Sequence, residues 1–184
     1  ASDVYKRQVT SLGKLLRYSM KWVSGNVLVE QELEYIKNYM ALINLRFDYE
    51  IYLSLNLPEI ILQQEIPKMS LQPIVENAIY HGIEQMAEDT NIYIKGRVEG
   101  NDCVIEITDA GRGMTEEEMA QLRQKIAGEL DSSGGSGNGI GLKNVQDRIQ
   151  IAFGGAYGIE VASQIGCYTK IIVRIPMTHR GEAE

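Results

Sequence analysis

Leu71-Gln72-Pro73-Ile74-Val75-Glu76-Asn77-Ala78-Ile79-Tyr80-His81-Gly82 is the stretch on which the reading of this chain turns. Its apolar residues recur at helical spacing. Ser70 is placed to cap the helix, Pro73 is tolerated in its first turn, and Gly82 marks its end near Ile83. An amide, Asn77, and an acid, Glu76, interrupt the apolar surface. A buried amide must find partners, and its oxygen is a neutral ligand for a cation such as Mg²⁺ that keeps most of its water. Alone, the segment reads more simply as a core helix with a satisfied asparagine.

Two later segments change that balance. Asp109-Ala110-Gly111-Arg112-Gly113 ends an apolar strand with a carboxylate and two glycines. This pattern sets an acceptor at a pocket floor with backbone close by, suited to an exocyclic amine such as adenine N6. Gly137-Asn138-Gly139-Ile140-Gly141-Leu142 opens a helix. Glycines there let backbone N–H groups approach phosphate, and a helix N-terminus favours an anion. No strand leads directly into it, no acidic residue follows to read a ribose, and it lacks the lysine of a P-loop, so it is neither a Rossmann fingerprint nor a Walker motif.

Around these segments the chain alternates. Ile51, Leu53, Leu55 and Leu57 give a strand ending at Pro58, and Ile66-Pro67 a short edge. Strands at 91–98 and 103–108 meet at a Gly100-Asn101 hairpin turn. Thr115 and Glu118 form a capping box for a helix reaching about Ala127. Residues 128–139 read as a mobile Gly/Ser loop, 141–153 as a helix, and 158–163 and 168–175 as closing strands. This order predicts an α+β domain, a two-layer α/β sandwich with a mixed sheet covered on one face.

Upstream, Leu12, Leu15, Leu16, Trp22 and Val23 recur at helical spacing. After Ser24-Gly25-Asn26, a heptad seam follows: Val29, Leu33, Ile36, Met40, Ile43, Phe47. Such a seam packs either on its own domain or on a partner helix. The narrow stripe flanked by Glu30, Glu32, Glu34 and Lys37 favours the partner. The change of period near residue 48 predicts a helical segment over 1–48 and a second domain over 49–184.

The 184 residues carry a net charge of −7, which disfavours nucleic-acid backbones as partners. Cys103 and Cys167 lack metal-ligand spacing and read as buried reduced thiols in strands, consistent with a cytosolic compartment. No apolar run approaches the roughly 18 residues that span a bilayer, so the piece is expected to be soluble, as a fragment of a membrane protein also would be.

In their order, the three segments resemble the N box, the DxGxG box and the second glycine box of the GHKL ATPase/kinase superfamily over roughly residues 50–177. The finer resemblance is to the catalytic domain of sensor histidine kinases of the LytS/YesM type. It rests on Leu71 through Ala78 with His81-Gly82, on Gly139-Ile140-Gly141-Leu142-Lys143-Asn144-Val145 with Arg148, and on Leu15-Leu16-Arg17-Tyr18 and Glu32-Leu33 through Tyr39 to Arg46-Phe47. The resemblance implies a Bergerat fold preceded by helices of a partial dimerisation region. It implies ATP and Mg²⁺ as cofactors, with Asn77 holding the metal and Asp109 the adenine N6. Gly111 and Gly113 would shape the adenine pocket, and Gly137, Gly139 and Gly141, with Leu142, would form the phosphate-side hinge of a lid over 128–139. The implied partners are a phosphoacceptor helix of the full-length protein, a response regulator and a second copy of the chain. The implied location is the cytoplasmic part of a membrane-anchored sensor.

Three departures sharpen this. The hydrolytic members of the superfamily resemble one another in carrying a water-activating Glu four residues before the N-box Asn; here that position is Pro73. This favours transfer to an acceptor over hydrolysis. Many histidine kinases have Lys three residues after that Asn, where this chain has Tyr80, so the positive charge must come from Mg²⁺ or another residue. Tyr168 replaces a glycine of the family's last turn. Neither His81 nor His179 has the setting of the phosphoacceptor, so nucleotide binding without self-phosphorylation is expected. The alternatives are an anti-sigma-factor-like serine kinase and a non-catalytic, nucleotide-dependent interaction module.

Overall fold

The structure, a computed structural model, describes residues 3–4, 12, 25–83, 86–129 and 139–179. The upstream residues Leu15, Leu16, Trp22 and Val23, and most of the glycine-rich loop including Gly137, lie outside them.

The elements run β1 (Asn26–Leu28), α1 (Val29–Ile43), β2 (Ile51–Asn56), α2 (Glu59–Leu62), β3 (Glu65–Pro67), α3 (Gln72–Asn77), a π-helical stretch (Ala78–Ile83), β4 (Thr90–Glu99), β5 (Asp102–Asp109), α4 (Glu116–Ala127), α5 (Ile140–Phe153), β6 (Gly158–Gln164) and β7 (Tyr168–Pro176). The main sheet has the order β2-β4-β5-β7-β6. Its β2–β4 pair is parallel and the rest are antiparallel, so the sheet is mixed as expected. The expected short edge at Ile66-Pro67 is β3, and it pairs with β1, a three-residue strand that the sequence does not signal.

Period-two alternation fixes the two faces of the sheet. Thr169, Ile171, Val173 and Ile175 of β7 point into the core with Ile92, Ile94, Ile105 and Ile107. Leu142, Val145 and Ile149 of α5 and Met119, Leu122 and Ile126 of α4 close over them. The opposite face carries Arg97–Glu106 (2.6 Å), Arg174–Glu99 (2.8 Å) and Lys170–Glu106 (3.3 Å) ion pairs. These pairs are partly solvated, so each contributes at most about 1 kcal/mol, and they keep the face open to water more than they hold it together.

The heptad seam is used differently from the expectation. Val29, Leu33, Ile36 and Met40 are all but inaccessible and belong to the same core as the sheet. That core therefore runs across residue 48. Glu32, read as a flank of the stripe, is fully buried. Its carboxylate accepts hydrogen bonds from Met69 N (2.5 Å) and Leu71 N (3.2 Å), where Met69 takes a left-handed conformation just before α3. The narrow stripe thus has its partner within the chain, and the buried acid anchors the start of the N-box helix.

Ser70 does not cap α3. Its hydroxyl donates to Pro67 O (2.5 Å), and Leu71 takes the cap position. Thr115 does cap α4, with the reciprocal Glu118 contact present and left-handed Gly128 closing the other end. Cys103 is buried, and burial pushes its thiol up to about 12, whereas Cys167 is exposed in the β6–β7 turn and not in a strand. That turn places Gly166 at φ 74°, and β7 opens with Tyr168, so the replaced glycine falls outside the tight part of the turn.

Fully buried Gln64 joins distant parts of the chain. Val29 N donates to its carbonyl (2.9 Å), Thr178 N and His179 N donate to its Oε1 (2.7 and 3.1 Å), and its Nε2 donates to Ile60 O (2.6 Å) and His179 O (2.7 Å).

Candidate functional site

The helix bearing Asn77 widens after it into the π-helical stretch, a form concentrated at functional sites. The widening ends where two glycines let separate segments touch. A Cβ on Gly82 would lie 2.5 Å from Asp109 Oδ1, and one on Gly111 would lie 2.5 Å from Gly82 O. Across this contact Arg112 N donates to Gly82 O (3.3 Å). Gly113, at φ +67°, backs onto the β6–β7 turn, where a Cβ would lie 2.0 Å from Gln164 O. These glycines are thus demanded by close approach and by backbone conformation.

Asp109 sits at the last position of β5, only 3% exposed. Gly111 N donates to its Oδ1 (2.9 Å). Burial, working against the backbone hydrogen bonds, raises its pKa to about 6. The carboxylate is on the wall of a cavity of about 180 Å³ whose lining includes Asn77, His81, Gly113, Leu122, Lys125 and Thr169. A second cavity, of about 170 Å³, is lined by Pro73, Glu76, Asn77, Tyr80, His81, Gly139, Gly141 and Leu142. Asn77 and His81 border both, so the cavities are neighbours across the π-helical stretch. A Cβ on Gly141 would lie 3.8 Å from Pro73 Cβ, which brings the start of α5 against the N-box helix.

The predicted site residues therefore come together. Asn77, Asp109 and Gly113 line the first cavity, Gly111 holds Asp109 from behind, and Gly139, Gly141 and Leu142 join Asn77 at the second. The α4 side chains Gln121, Leu122 and Lys125 complete the first cavity and were not singled out from the sequence. Their i, i+1, i+4 spacing on one capped helix was the available signal.

The two cavities differ in chemistry. The first combines a buried acceptor with apolar surface. The second lies at the N-terminus of the 14-residue α5, whose first-turn N–H groups and dipole favour an anion. The Asn77 amide and the Glu76 carboxylate both line the second cavity. Hard oxygen donors beside an anion site suit a cation such as Mg²⁺ that retains most of its water. Burial raises the pKa of Glu76, although Gln72 Nε2 donates to it (2.8 Å). Burial first, then a hydrogen bond with Tyr80 and the nearby Glu76, holds the Tyr39 hydroxyl above its ordinary range. Arg46 lies over the Tyr80 ring, 5.9 Å from its centroid.

The Asp109 shift has a signed consequence. Its folded pKa of about 6 lies above the ordinary value of 3.8, so the folded state binds the proton more tightly. Stability from this group is full below pH 4 and is lost as pH rises towards 6, by about 3 kcal/mol at most. Urea denaturation of the ligand-free chain across this window should show that component, and Asp109→Asn should remove it. A wild-type profile that the variant reproduces unchanged would rule the assignment out.

Residues 67–179 match the family described as histidine kinase-, DNA gyrase B-, and HSP90-like ATPase, and residues 2–51 match one described as histidine kinase. The chain is 31% identical over 175 residues to the sensor histidine kinase BtsS of Escherichia coli (strain K12), covering 95% of the chain and 28% of that protein. It is 32% identical over 170 residues to the sensor histidine kinase YesM of Bacillus subtilis (strain 168), covering 92% of the chain and 27% of that protein. The chain thus spans under a third of the length of these relatives. The histidine kinase domain of the Erythrobacter litoralis EL346 blue-light activated histidine kinase shares the fold, with a TM-score of 0.58 at 14% identity over 96% of this chain and 80% of that one.

Proposed function

The chain belongs to the family of histidine kinase-, DNA gyrase B- and HSP90-like ATPases, and from that premise we propose that it is the ATP-binding catalytic domain of a two-component sensor histidine kinase. Its reaction is transfer of the ATP γ-phosphate to a histidine on a phosphoacceptor helix of the full-length protein. The observation that carries this reading is the pairing of a buried carboxylate, Asp109, with a helix N-terminus at Gly141 across the shared Asn77.

In this reading the adenine amine donates to Asp109, and Gly111 and Gly113 keep side chains out of the space the base occupies. The phosphates lie against Gly139, Gly141 and Leu142, where the α5 N–H groups and dipole offset their charge. Asn77, with Glu76 nearby, holds Mg²⁺, which supplies charge neutralisation when bound. The acceptor imidazole attacks the γ-phosphorus, and the bond to the β–γ bridging oxygen breaks, leaving ADP. Pro73 supports transfer over hydrolysis, since it borders the second cavity and offers no proton acceptor for water.

The heptad stripe over residues 29–43 is occupied by the domain's own core, so the homodimer of this proposal does not use that stripe. The response regulator as downstream partner and a cytoplasmic position below a membrane anchor belong to the same proposal. Among the described residues, no helix is long and apolar enough to cross a membrane.

The test is phosphotransfer in trans from γ-labelled ATP to the separately supplied dimerisation segment of the full-length protein. The expected product is acid-labile phosphohistidine on that segment, with slow hydrolysis by the chain alone. Acid-stable phosphoserine on a partner would move the reading to a serine kinase. Nucleotide binding without any transfer would leave an interaction module.

A further inference from the structure

Tyr80 stands where many histidine kinases place a lysine near phosphate, so a positive charge is missing from the second cavity. Besides Arg46, whose guanidinium lies over the Phe47 and Tyr80 rings, three cations lie close to the two cavities. Arg112 is held by Glu118 through paired hydrogen bonds of 2.9 and 3.1 Å. Lys143, on the first turn of α5, is paired with Asp147 at 2.5 Å. Lys125 is the third. It lines the Asp109 cavity from the last turn of α4, and among the described residues no carboxylate pairs with its ammonium group.

The Lys125 stem also passes beside a residue of the second cavity's lining. Its Cδ and Cβ lie 3.2 and 3.3 Å from where a Cβ on Gly139 would stand, and Gly139 borders that cavity. The glycine leaves room for the lysine stem beside the residue that precedes α5. Resting on the ATP-site reading above, we infer that Lys125 supplies the phosphate-neutralising charge that Tyr80 cannot, acting from α4 on the β- and γ-phosphates. The Lys125 ammonium is a compact, flexible point charge with three donors, which suits phosphate oxygens. Its place in the chain differs from the N-box position because α4 and α5 face each other across the site.

A lysine in the last turn of a helix also complements the helix dipole, a purely structural role. Ligand selectivity separates the two. Lys125→Met keeps an unbranched stem against Gly139 and removes only the charge, and Lys125→Arg restores it. Binding of a non-hydrolysable ATP analogue with Mg²⁺, of ADP with Mg²⁺ and of adenosine is measured on each variant by isothermal titration. Loss of a charged contact predicts about tenfold weaker binding of the ATP analogue by Lys125→Met, a smaller loss for ADP, no change for adenosine, and recovery in Lys125→Arg. Equal losses for all three ligands, or an unchanged affinity for the ATP analogue, would overturn the inference and leave the ATP-site reading intact. A wild-type chain that binds none of the three would overturn both.

Discussion

Asp109→Asn should lose about a hundredfold or more in affinity for an ATP analogue while the protein remains folded. The wild-type carboxylate accepts from Gly111 N at 2.9 Å and keeps acceptor capacity for an amine in the cavity. Asparagine presents one oxygen and one NH₂. If the oxygen faces Gly111 N, a donor meets the incoming adenine amine, and if it faces the adenine, a donor meets Gly111 N. Losing a charge-assisted bond and leaving a buried donor unmatched costs about 3 kcal/mol, which is a little over a hundredfold. Stability moves the other way. Burial already makes ionisation of Asp109 costly, so at neutral pH the uncharged amide should melt at the wild-type temperature or above it. Titration calorimetry beside a thermal melt checks both. Undiminished binding by the variant would mean that the buried carboxylate is not the adenine acceptor, and the site reading would fall with it.

Glu32→Ala should destabilise the domain by about 3 kcal/mol, since two N–H groups lose a buried charged acceptor. Met69 N and Leu71 N lie at the entrance to the helix that carries Asn77, and Glu32 is the acceptor for both. The urea midpoint should fall by about 1 M or more. Glu32→Gln keeps one acceptor oxygen and should lose less. Nucleotide affinity should weaken in the alanine variant as well, because the segment it loosens leads directly into the N box. A midpoint equal to wild type would show that those N–H groups find other partners.

Much of this architecture was legible in the sequence because local rules and packing agree there. The Gly100-Asn101 turn, the Thr115/Glu118 box and the alternation in β7 each specify one local structure, and the fold uses all of them. Most departures come from contacts between segments far apart in sequence. The seam at 29–43 looks like a coiled-coil stripe, since periodicity reports that a face is buried and not against what. Glu32 looks like a solvated flank because its partners lie 37 and 39 residues away. Ser70 is a local exception: its residue type suits a cap, yet its hydroxyl is taken by Pro67 O, three residues back. The π-helical stretch has no periodic signature, since it follows from the meeting of Gly82 with Asp109 and Gly111. Asn77, Asp109 and the glycines stand out in the sequence because their chemistry is unusual for their positions. Lys125, on the lining of the first cavity, does not stand out in the sequence because a lysine on an amphipathic helix is ordinary.

The contacts converging on Gln64 bring two distant parts of the chain together. Val29 and Thr178, nearly 150 residues apart, are fastened to the same side chain and its carbonyl. Residues 29 and 178 thus meet at one corner, so a segment cut at those two points would have its ends side by side. Joining such a segment to a host loop would separate the flanking ends little, at a closure cost that grows only slowly with linker length. The same junction is where a circular permutation would be sealed with a short bridge, provided Gln64 is left in place.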